Sequence, residues 1–483
     1  MIVSMTRQTF LRSAAAAAAA PLIGQARRRN LIFILIDDLR FDMLGIMGHP
    51  FLKTPHIDRL ARGGALFRNS FVTTSLCSPS RASILTGMYT HAHGVTDNVS
   101  PFPEGLTTFP RVLQQNGYRT ALVGKWHMGG ESDAPRPGFD RWVSFRGQGE
   151  YNDPVLNIDG DRRKVPGYVT DLITQESLRF VRENAARPFM LYMSHKAVHA
   201  DFFPPARHQN LYSTEPIPYP ASMADTEENY RGKPDWVRRQ RNSWHGVDGM
   251  YNHRVAFDRF YRDYCRTEMA MDESVGALID ELERRRLLND TLIVFMGDNG
   301  FMLGEHGLID KRAMYEPSIR VPMIAHCPDL FAGGARPEGM ALNIDVAPTM
   351  LDGAGIAPPP SIHGRSLLPL LAGRTEGWRT DFLYEYFWER DYPQTPTVIG
   401  LRTDRHSFMH YHGVWDIDEL YDVRQDPGQM RNLLGDVRIR AEGGRLFQRI
   451  QDPELKKLVA GFQNRIAEIE RVTGGRPEPT WKA

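Results

Sequence analysis

The stretch Leu31–Asp38, LIFILIDD, is six apolar residues without alternation, closed by two carboxylates. A strand with one wet face alternates, so an unbroken apolar run predicts a strand covered on both faces, as in a parallel sheet. RTALVG (Arg119–Gly124), FMLYMS (Phe189–Ser194) and TLIVFMG (Thr291–Gly297) share the pattern. Before the last of these, Val275, Leu278, Ile279 and Leu282 recur at helical spacing, ahead of a polar Arg284–Arg286 end. Strands alternating with helices predict an α/β fold, a large domain with a central, mostly parallel sheet flanked by helices. From Pro204 to Arg254 the periodicity lapses into Pro, Tyr and Arg, and so long a loop in a compact domain is usually functional. After Gly364–Gly373 the texture changes to strand-like pieces, DFLYEYFW, VIGLRT and SFMHYH, closed by a helical pattern around Glu454–Val472. These predict a small C-terminal subdomain of antiparallel sheet and helix. The expected division is an export signal at 1–26, the large domain at 27–375 and the subdomain at 376–483.

With 483 residues, 41% hydrophobic and 24% charged, the chain has material for more than one ordinary core. A net charge of +1 gives no overall pull toward nucleic acid or membrane, so affinity for an anion must come from local clusters. Cys77, Cys265 and Cys327 are too few and too scattered for a disulfide framework, although the sequence leaves a Cys265–Cys327 bridge open. The N-terminal MTRQTFLRSAAAAAAAPLIGQA carries basic Arg7 and Arg12, a short apolar stretch and small residues before a cleavage point after Ala26. The stretch Ala14–Ile23 is too short to span a bilayer. This predicts a protein handed to the export machinery and working in the periplasm or outside the cell, without stable membrane insertion. The segment is similar to bacterial twin-arginine signals, with Gln8 where the second arginine is expected.

The ends of the apolar runs carry the chemistry. LIFILI ends in Asp37-Asp38 and TLIVFMG in Asp298-Asn299, and ligands of open α/β sheets bind outside the carboxyl ends of the strands. If the two strands are neighbours, three carboxylates and an amide oxygen converge, a charge that burial forbids unless it is compensated. An all-oxygen set favours Ca²⁺ or Mg²⁺ over Zn²⁺; capping of the following helices is the plainer alternative. Cations lie at the same edge: Lys125 and His127 in GKWHMG, at i and i+2 and so on one face of an extended segment; His195 and His199 in MSHKAVH; His306 and Lys311 in GEHGLIDKRAMYE. In TTSLCSPSRASILTG, Pro79 suits a first helical turn and Ser78 suits a cap. That places Cys77 at the positive end of a helix, with Arg81 one turn on. A cation, a cysteine at a helix N-terminus and a ring of Lys, Arg and His describe a site for an oxyanion of sulfur or phosphorus.

Cys77-Ser78-Pro79-Ser80-Arg81 followed by ASILTG resembles the signature of the formylglycine-dependent sulfatases of the alkaline phosphatase superfamily. GKWHMG, DNG, KRAMYEPSIRVPMI and ELYDVRQDPGQMRNL are similar to that family in order and spacing, over nearly the whole mature chain. The resemblance implies that a formylglycine-generating enzyme converts Cys77 to formylglycine (3-oxoalanine). It implies that Asp37, Asp38, Asp298 and Asn299, with the modified residue 77, bind one Ca²⁺, magnesium being the lesser choice. One hydroxyl of the hydrated aldehyde then attacks sulfur and the second drives sulfate release. Asp298 accepts the attacking hydroxyl's proton, Lys311 and His199 contact sulfate and serve the leaving oxygen, His127 deprotonates the second hydroxyl, and Lys125 and Arg81 hold the diol and sulfate charge. Val198 stands where the family usually has Pro, which keeps His195 as a second candidate.

The expected substrate is a sulfated carbohydrate of the N-acetylglucosamine 6-sulfate type. His91, His93, Asp97 and Asn98 in YTHAHGVTDN, with Arg402, His410, His412 and Trp415 of the subdomain, are the candidate sugar contacts. Two alternatives remain open to the sequence: a phosphonate monoester or phosphodiester hydrolase using the same formylglycine, and a non-catalytic glycan-binding protein on the same scaffold.

Overall fold

Alternate residues of the first strand enter two different cores. Leu31, Phe33 and Leu35 pack into one hydrophobic cluster, and Ile32, Ile34 and Ile36 into another, all fully buried. A strand sends successive side chains to opposite faces, so both faces of this one are covered, as its unbroken apolar run predicted. The structure is a computed structural model and describes residues 28–130, 132–412, 416–436, 438–442 and 445–475. The expected export signal and Trp415 lie outside the described residues.

Among the described residues the central sheet has nine strands: β1 (Asn30–Ile36), β2 (Ala65–Phe67), β3 (Arg119–Gly124), β4 (Arg141–Ser144), β5 (Val155–Ile158), β6 (Asp161–Lys164), β7 (Phe189–Ser194), β8 (Thr291–Gly297) and β9 (Met323–His326). Their order is β2-β9-β8-β1-β7-β3-β4-β5-β6. The inner run β8-β1-β7-β3-β4 is parallel, and β9 at one side and β5 and β6 at the other are antiparallel. β8 repeats the two-sided burial of β1: Leu292, Val294 and Met296 join one core, Ile293 and Phe295 the other.

Four longer helices matter for the site: α1 (Cys77–Thr86), α2 (Val169–Asn184), α3 (Phe257–Arg284) and α4 (Pro453–Val472). α2 and α3 cover one face through residues such as Val169, Phe180, Tyr264 and Leu278. On the opposite face lie Ile84 and Leu85 of α1 and the four-stranded antiparallel sheet β10 (Asp381–Tyr386), β11 (Thr397–Thr403), β12 (His406–His412) and β13 (Glu419–Asp422). Phe382, Tyr384 and Phe408 of that sheet, and Phe462 of α4, share a continuous cluster with Phe33 and Val294. The C-terminal sheet is therefore packed onto the central one. Truncating Phe33 or Ile34 to Ala removes contacts from one core only and costs roughly 2–5 kcal/mol.

All three cysteines are free and buried, so Cys265 and Cys327 do not pair. Segment 204–254 forms short helices, Glu227–Tyr230 and Asp235–Gln240 among them. It is anchored to the C-terminal sheet, where the Lys233 ammonium donates to Tyr421 Oη at 2.6 Å and to the Gln429 carbonyl at 2.8 Å. No helix among the described residues is long and apolar enough to cross a membrane.

Candidate active site

β1 and β8 are parallel neighbours with Ile36 opposite Gly297, so Asp37-Asp38 and Asp298-Asn299 leave the sheet together. The Asp37, Asp38 and Asp298 carboxylates offer oxygens within 4.8 Å of one another, and all three residues have no solvent exposure. Asp38 takes a left-handed backbone (φ 56°), which turns the chain back so that its N–H donates to Asp298 Oδ1 at 3.0 Å. Asp is among the few residues that adopt this conformation readily. The Asn299 amide donates to Asp38 Oδ1 at 2.7 Å, while its own Oδ1 is buried without a hydrogen-bond partner. A buried amide oxygen left unsatisfied beside three carboxylates is a donor set that fits a hard cation.

Cys77 opens α1, with Leu76 in the cap position. Ser78 does not cap, contrary to expectation: its hydroxyl donates to the His127 carbonyl, and its N–H is received by Asn98 Oδ1 at 3.0 Å. The cap thus comes from a distant loop. The Cys77 thiol lies 3.3 Å from Asp37 Oδ1. Burial, and then the Asp37 charge, push this thiol well above its usual range. Reactive cysteines show the opposite shift, so Cys77 as it stands is a poor nucleophile.

Cations surround the carboxylates. Lys125 Nζ reaches Asp37 Oδ2 and Gln148 Oε1. Lys311 Nζ grips both oxygens of Asp38 at 2.6 and 2.7 Å. The Arg81 guanidinium donates through Nε to Asp298 Oδ2 at 2.9 Å, and through Nη1 to Ser194 Oγ and the Lys125 carbonyl at 2.8 and 3.0 Å. Arg81 thereby holds the Asp298 carboxylate in place at the cluster. His199 Nδ1 donates to the Ala200 carbonyl, leaving Nε2 facing Asp38 Oδ2 at 3.9 Å. His127 lies beside Ser78, Nδ1 to Oγ 3.5 Å, also with a left-handed backbone (φ 60°), so GKWHMG turns here instead of running extended.

The charges do not balance evenly. Burial alone would raise Asp37, but Lys125, His199, Arg81 and Lys311 hold it well below the usual carboxylate range. Burial and the Asp37 charge push Asp298 up to about 7, and burial raises Asp38 despite Lys311. A divalent cation relieves both shifts. Burial, then nearby ammonium charge, hold His127 and His199 below their usual range and so neutral.

The structure thus gathers Asp37, Asp38, Cys77, Arg81, Lys125, His127, His199, Asp298, Asn299 and Lys311 at one edge of the sheet. The candidate sugar contacts divide differently. His93 is buried against Ser83 Oγ at 3.0 Å, and His91 sits between Glu385 and Thr473. Asp97 closes a turn onto the N–H groups of Val99 and Ser100. His410 pairs with Asp418, and His412 ends β12 opposite Thr397. Arg402 is buried in an ion pair with Glu316 at 2.7 Å. Within the described structure none of these six joins the carboxylate cluster, because local or cross-strand partners engage them. His195 rests on Ser274 of α3 and His306 on the Tyr315 ring, whereas His199 faces Asp38.

Several neighbours are not among the residues singled out from the sequence. Gln148 shares Lys125, and Lys196 lies 4.4 Å from the centre of the Tyr151 ring, its ammonium lowered to about 8 by burial. Beside Lys311, Asp310 pairs with Arg312 at 2.9 Å and with His245 at 3.4 Å, and Arg312 also pairs with Glu389 and lies over the Tyr392 ring. Asp310 and Arg312 flank Lys311 directly, a signal available in IDKRAM. His245 and Glu389 come from remote segments without one.

The sulfatase family profile matches residues 29–356, and that of the N-sulphoglucosamine sulphohydrolase C-terminal region matches 304–456. The chain is 33% identical to an N-acetylglucosamine-6-O-sulfatase of Bacteroides thetaiotaomicron, over 91% of this chain and 88% of that one. It is 31% identical to human N-acetylglucosamine-6-sulfatase, over 78% of this chain and 70% of that one. A solved structure described as a complex with its substrate D-glucosamine-2-N,6-O-disulfate superimposes with a TM-score of 0.82 at 30% identity, over 94% of this chain and all of the other. The cysteine-headed helix and the buried oxygen cluster are thus accompanied by likeness along almost the whole chain: it belongs to the sulfatase family, enzymes that hydrolyse sulfate esters.

Proposed function

We propose that the protein removes sulfate from a sulfated carbohydrate, of the 6-O-sulfated N-acetylglucosamine type, using formylglycine formed from Cys77 and one bound Ca²⁺. The observation that carries the reading is Cys77 at the start of α1, 3.3 Å from Asp37, in a cluster of three buried carboxylates and one unsatisfied amide oxygen. The named activities of the relatives, and the disulfated glucosamine of the similar structure, support the sugar. A formylglycine-generating enzyme and export to the periplasm or beyond belong to the same reading, as does a division into a catalytic part at 27–375 and a subdomain at 376–483.

Asp37, Asp38, Asp298 and Asn299 would hold the cation. When present, the cation and the hydrated aldehyde at 77 supply Lewis acidity and a geminal diol. Asp298, fixed by Arg81 Nε and the Asp38 N–H, would take a proton at the attacking step. Lys311, held protonated because Asp38 and nearby anionic charge outweigh its burial, offers a positive charge and a proton toward the leaving oxygen, with His199 Nε2 beside it. His127, kept neutral, is available to receive the proton that frees sulfate. Lys125 and Arg81 fix Asp37 and Asp298. The test is kinetic: protein made with a formylglycine-generating partner is assayed on 6-O-sulfated N-acetylglucosamine, other sulfated monosaccharides, p-nitrophenyl sulfate and a phosphonate monoester. The expected order places the 6-O-sulfated sugar first in kcat/KM; an aryl sulfate or phosphonate at or above every sugar overturns the reading.

A further inference from the structure

Away from the carboxylate cluster, between the β2–β9 edge of the central sheet and the C-terminal sheet, lies a cleft of about 1000 Å³. Six arginines line it, Arg68, Arg320, Arg336, Arg379, Arg402 and Arg424, against three carboxylates, Glu316, Glu338 and Asp404. No residue of the cation cluster contributes to its wall. Two of the arginines are accounted for: Arg402 is paired with Glu316, and Arg379 with Asp345. The other four have no carboxylate within ion-pair distance among the described residues. Arg320 spends Nε and Nη2 on the Arg68 carbonyl and lies 4.5 Å from the centre of the Phe41 ring. Arg424 donates Nε to the Asp404 carbonyl, and Arg336 donates Nη1 to that of Ala335. Burial lowers the Arg320 guanidinium, and Glu316, the carboxylate that most opposes this, is engaged by Arg402.

This concentration is out of keeping with the chain as a whole, which carries 59 Lys and Arg against 58 Asp and Glu. Some exposed arginines elsewhere have carboxylate partners, as Arg59 has Asp280 and Arg207 has Asp171, and those without one among the described residues, such as Arg187, Arg231 and Arg286, do not line this cleft. Like charges gathered in a concave wall repel one another and raise the local concentration of anions. Guanidiniums with idle forks match sulfate and carboxylate oxygens in pairs. Between them Trp378, Phe41, Pro337 and Pro427 offer apolar surface, the mixture that seats a sugar ring beside its anionic group.

We infer that this cleft is a second, non-catalytic binding site for an anionic stretch of a sulfated polysaccharide, holding the chain while a sulfated sugar is processed at the cation cluster. The inference rests on the reading of the substrate as a sulfated glycan. Its test is binding without turnover, in the full-length Cys77→Ala protein, with dextran sulfate as the probe and unsulfated dextran as control. Arg68→Glu/Arg336→Glu/Arg424→Glu is introduced into that background, and Arg68→Gln/Arg336→Gln/Arg424→Gln is measured alongside in case charge reversal disturbs the fold. The site predicts a rise of about tenfold or more in Kd for dextran sulfate in both variants, a weaker salt dependence of what binding remains, and no binding of dextran. In the protein with Cys77 intact and modified, the same substitutions leave kcat/KM on a sulfated monosaccharide unchanged. A Kd for dextran sulfate that neither variant alters, or equal binding of dextran, overturns the second site while leaving the proposed activity standing. Arginine-dependent dextran sulfate binding by a protein that cleaves no sulfated sugar supports the cleft and defeats the proposed activity instead.

Discussion

The cation cluster and the arginine cleft concentrate opposite charges by opposite means. Asp37, Asp38 and Asp298 have no exposure, and each has at least one basic partner within the protein. Arg68, Arg336 and Arg424 are exposed and have no carboxylate within ion-pair distance among the described residues. Buried charge is tolerated only when nearly every oxygen is committed, whereas exposed charge can stay idle because water screens it. The first arrangement suits chemistry, which needs groups fixed in a dry pocket. The second suits capture of a long polyanion, which needs many weak and replaceable contacts.

Removing the Cys77 side chain should separate the two regions most sharply. Cys77→Ala cannot be converted to the aldehyde, so turnover of a sulfated sugar should fall by about a thousandfold or more. The melting temperature should stay near that of the parent, because a small buried thiol is lost without disturbing a salt bridge. Dextran sulfate binding should be unchanged. Peptide mass spectrometry of the parent should show residue 77 as aldehyde or hydrate, and full turnover from Cys77→Ala would sink the mechanism.

The next largest effect is on the cation. Asp38→Ala removes a ligand and strands the Lys311 ammonium, so calcium affinity and activity should fall together, activity by at least about a hundredfold. Chelation should stop the parent reversibly. Calcium at a hundred times its Kd should stabilise the parent by about 2.7 kcal/mol and Asp38→Ala by much less, read as a shift in thermal unfolding. Undiminished turnover after chelation would show that the four oxygens have been misread.

Lys311→Ala tests the rim of the same site. It removes a positive charge and a proton donor from the leaving-group side, with an expected loss of about a hundredfold in kcat on an alkyl sulfate ester such as a sugar 6-sulfate. On p-nitrophenyl sulfate, whose leaving group needs no proton, the loss should be smaller. Equal losses on both substrates would assign Lys311 to holding Asp38 rather than to leaving-group departure.

These differences also explain what the sequence disclosed. LIFILIDD and TLIVFMGDNG announced both the strands and the acids at their ends, since an apolar run that stops at Asp fixes burial and direction at once. Cys77, Arg81 and Lys125 were legible for a related reason, since each lies within a few residues of a strand or helix end on the same edge, while Lys311 was legible through the family-like KRAMYE segment. Arg402 and His93 were not, because their partners Glu316 and Ser83 come from other elements that no local pattern connects to them. The arginine cleft was invisible for the same cause. Arg68, Arg320, Arg336 and Arg424 come from four separate segments: contacts within the large domain bring the first three together, and the packed C-terminal part adds Arg424.

Asn98 carries the smallest expected effect and the finest distinction. The sequence suggested a sugar contact, but in the structure its Oδ1 receives the Ser78 N–H at 3.0 Å, beside Cys77 at the positive end of α1. An N-terminal N–H without an acceptor costs about 1 kcal/mol, so Asn98→Ala should lower stability by that amount. It should also reduce kcat modestly, since the first turn of α1 positions residue 77, while KM for the sugar stays near that of the parent. Asn98→Asp keeps an acceptor at the same place and should restore both stability and kcat, its negative charge favoured by the helix end. A sugar contact made through the amide N–H predicts the reverse, a raised KM in both variants with stability unchanged in Asn98→Asp. Unfolding curves and the separation of KM from kcat therefore decide whether this loop serves the helix that presents Cys77 or the sugar that meets it.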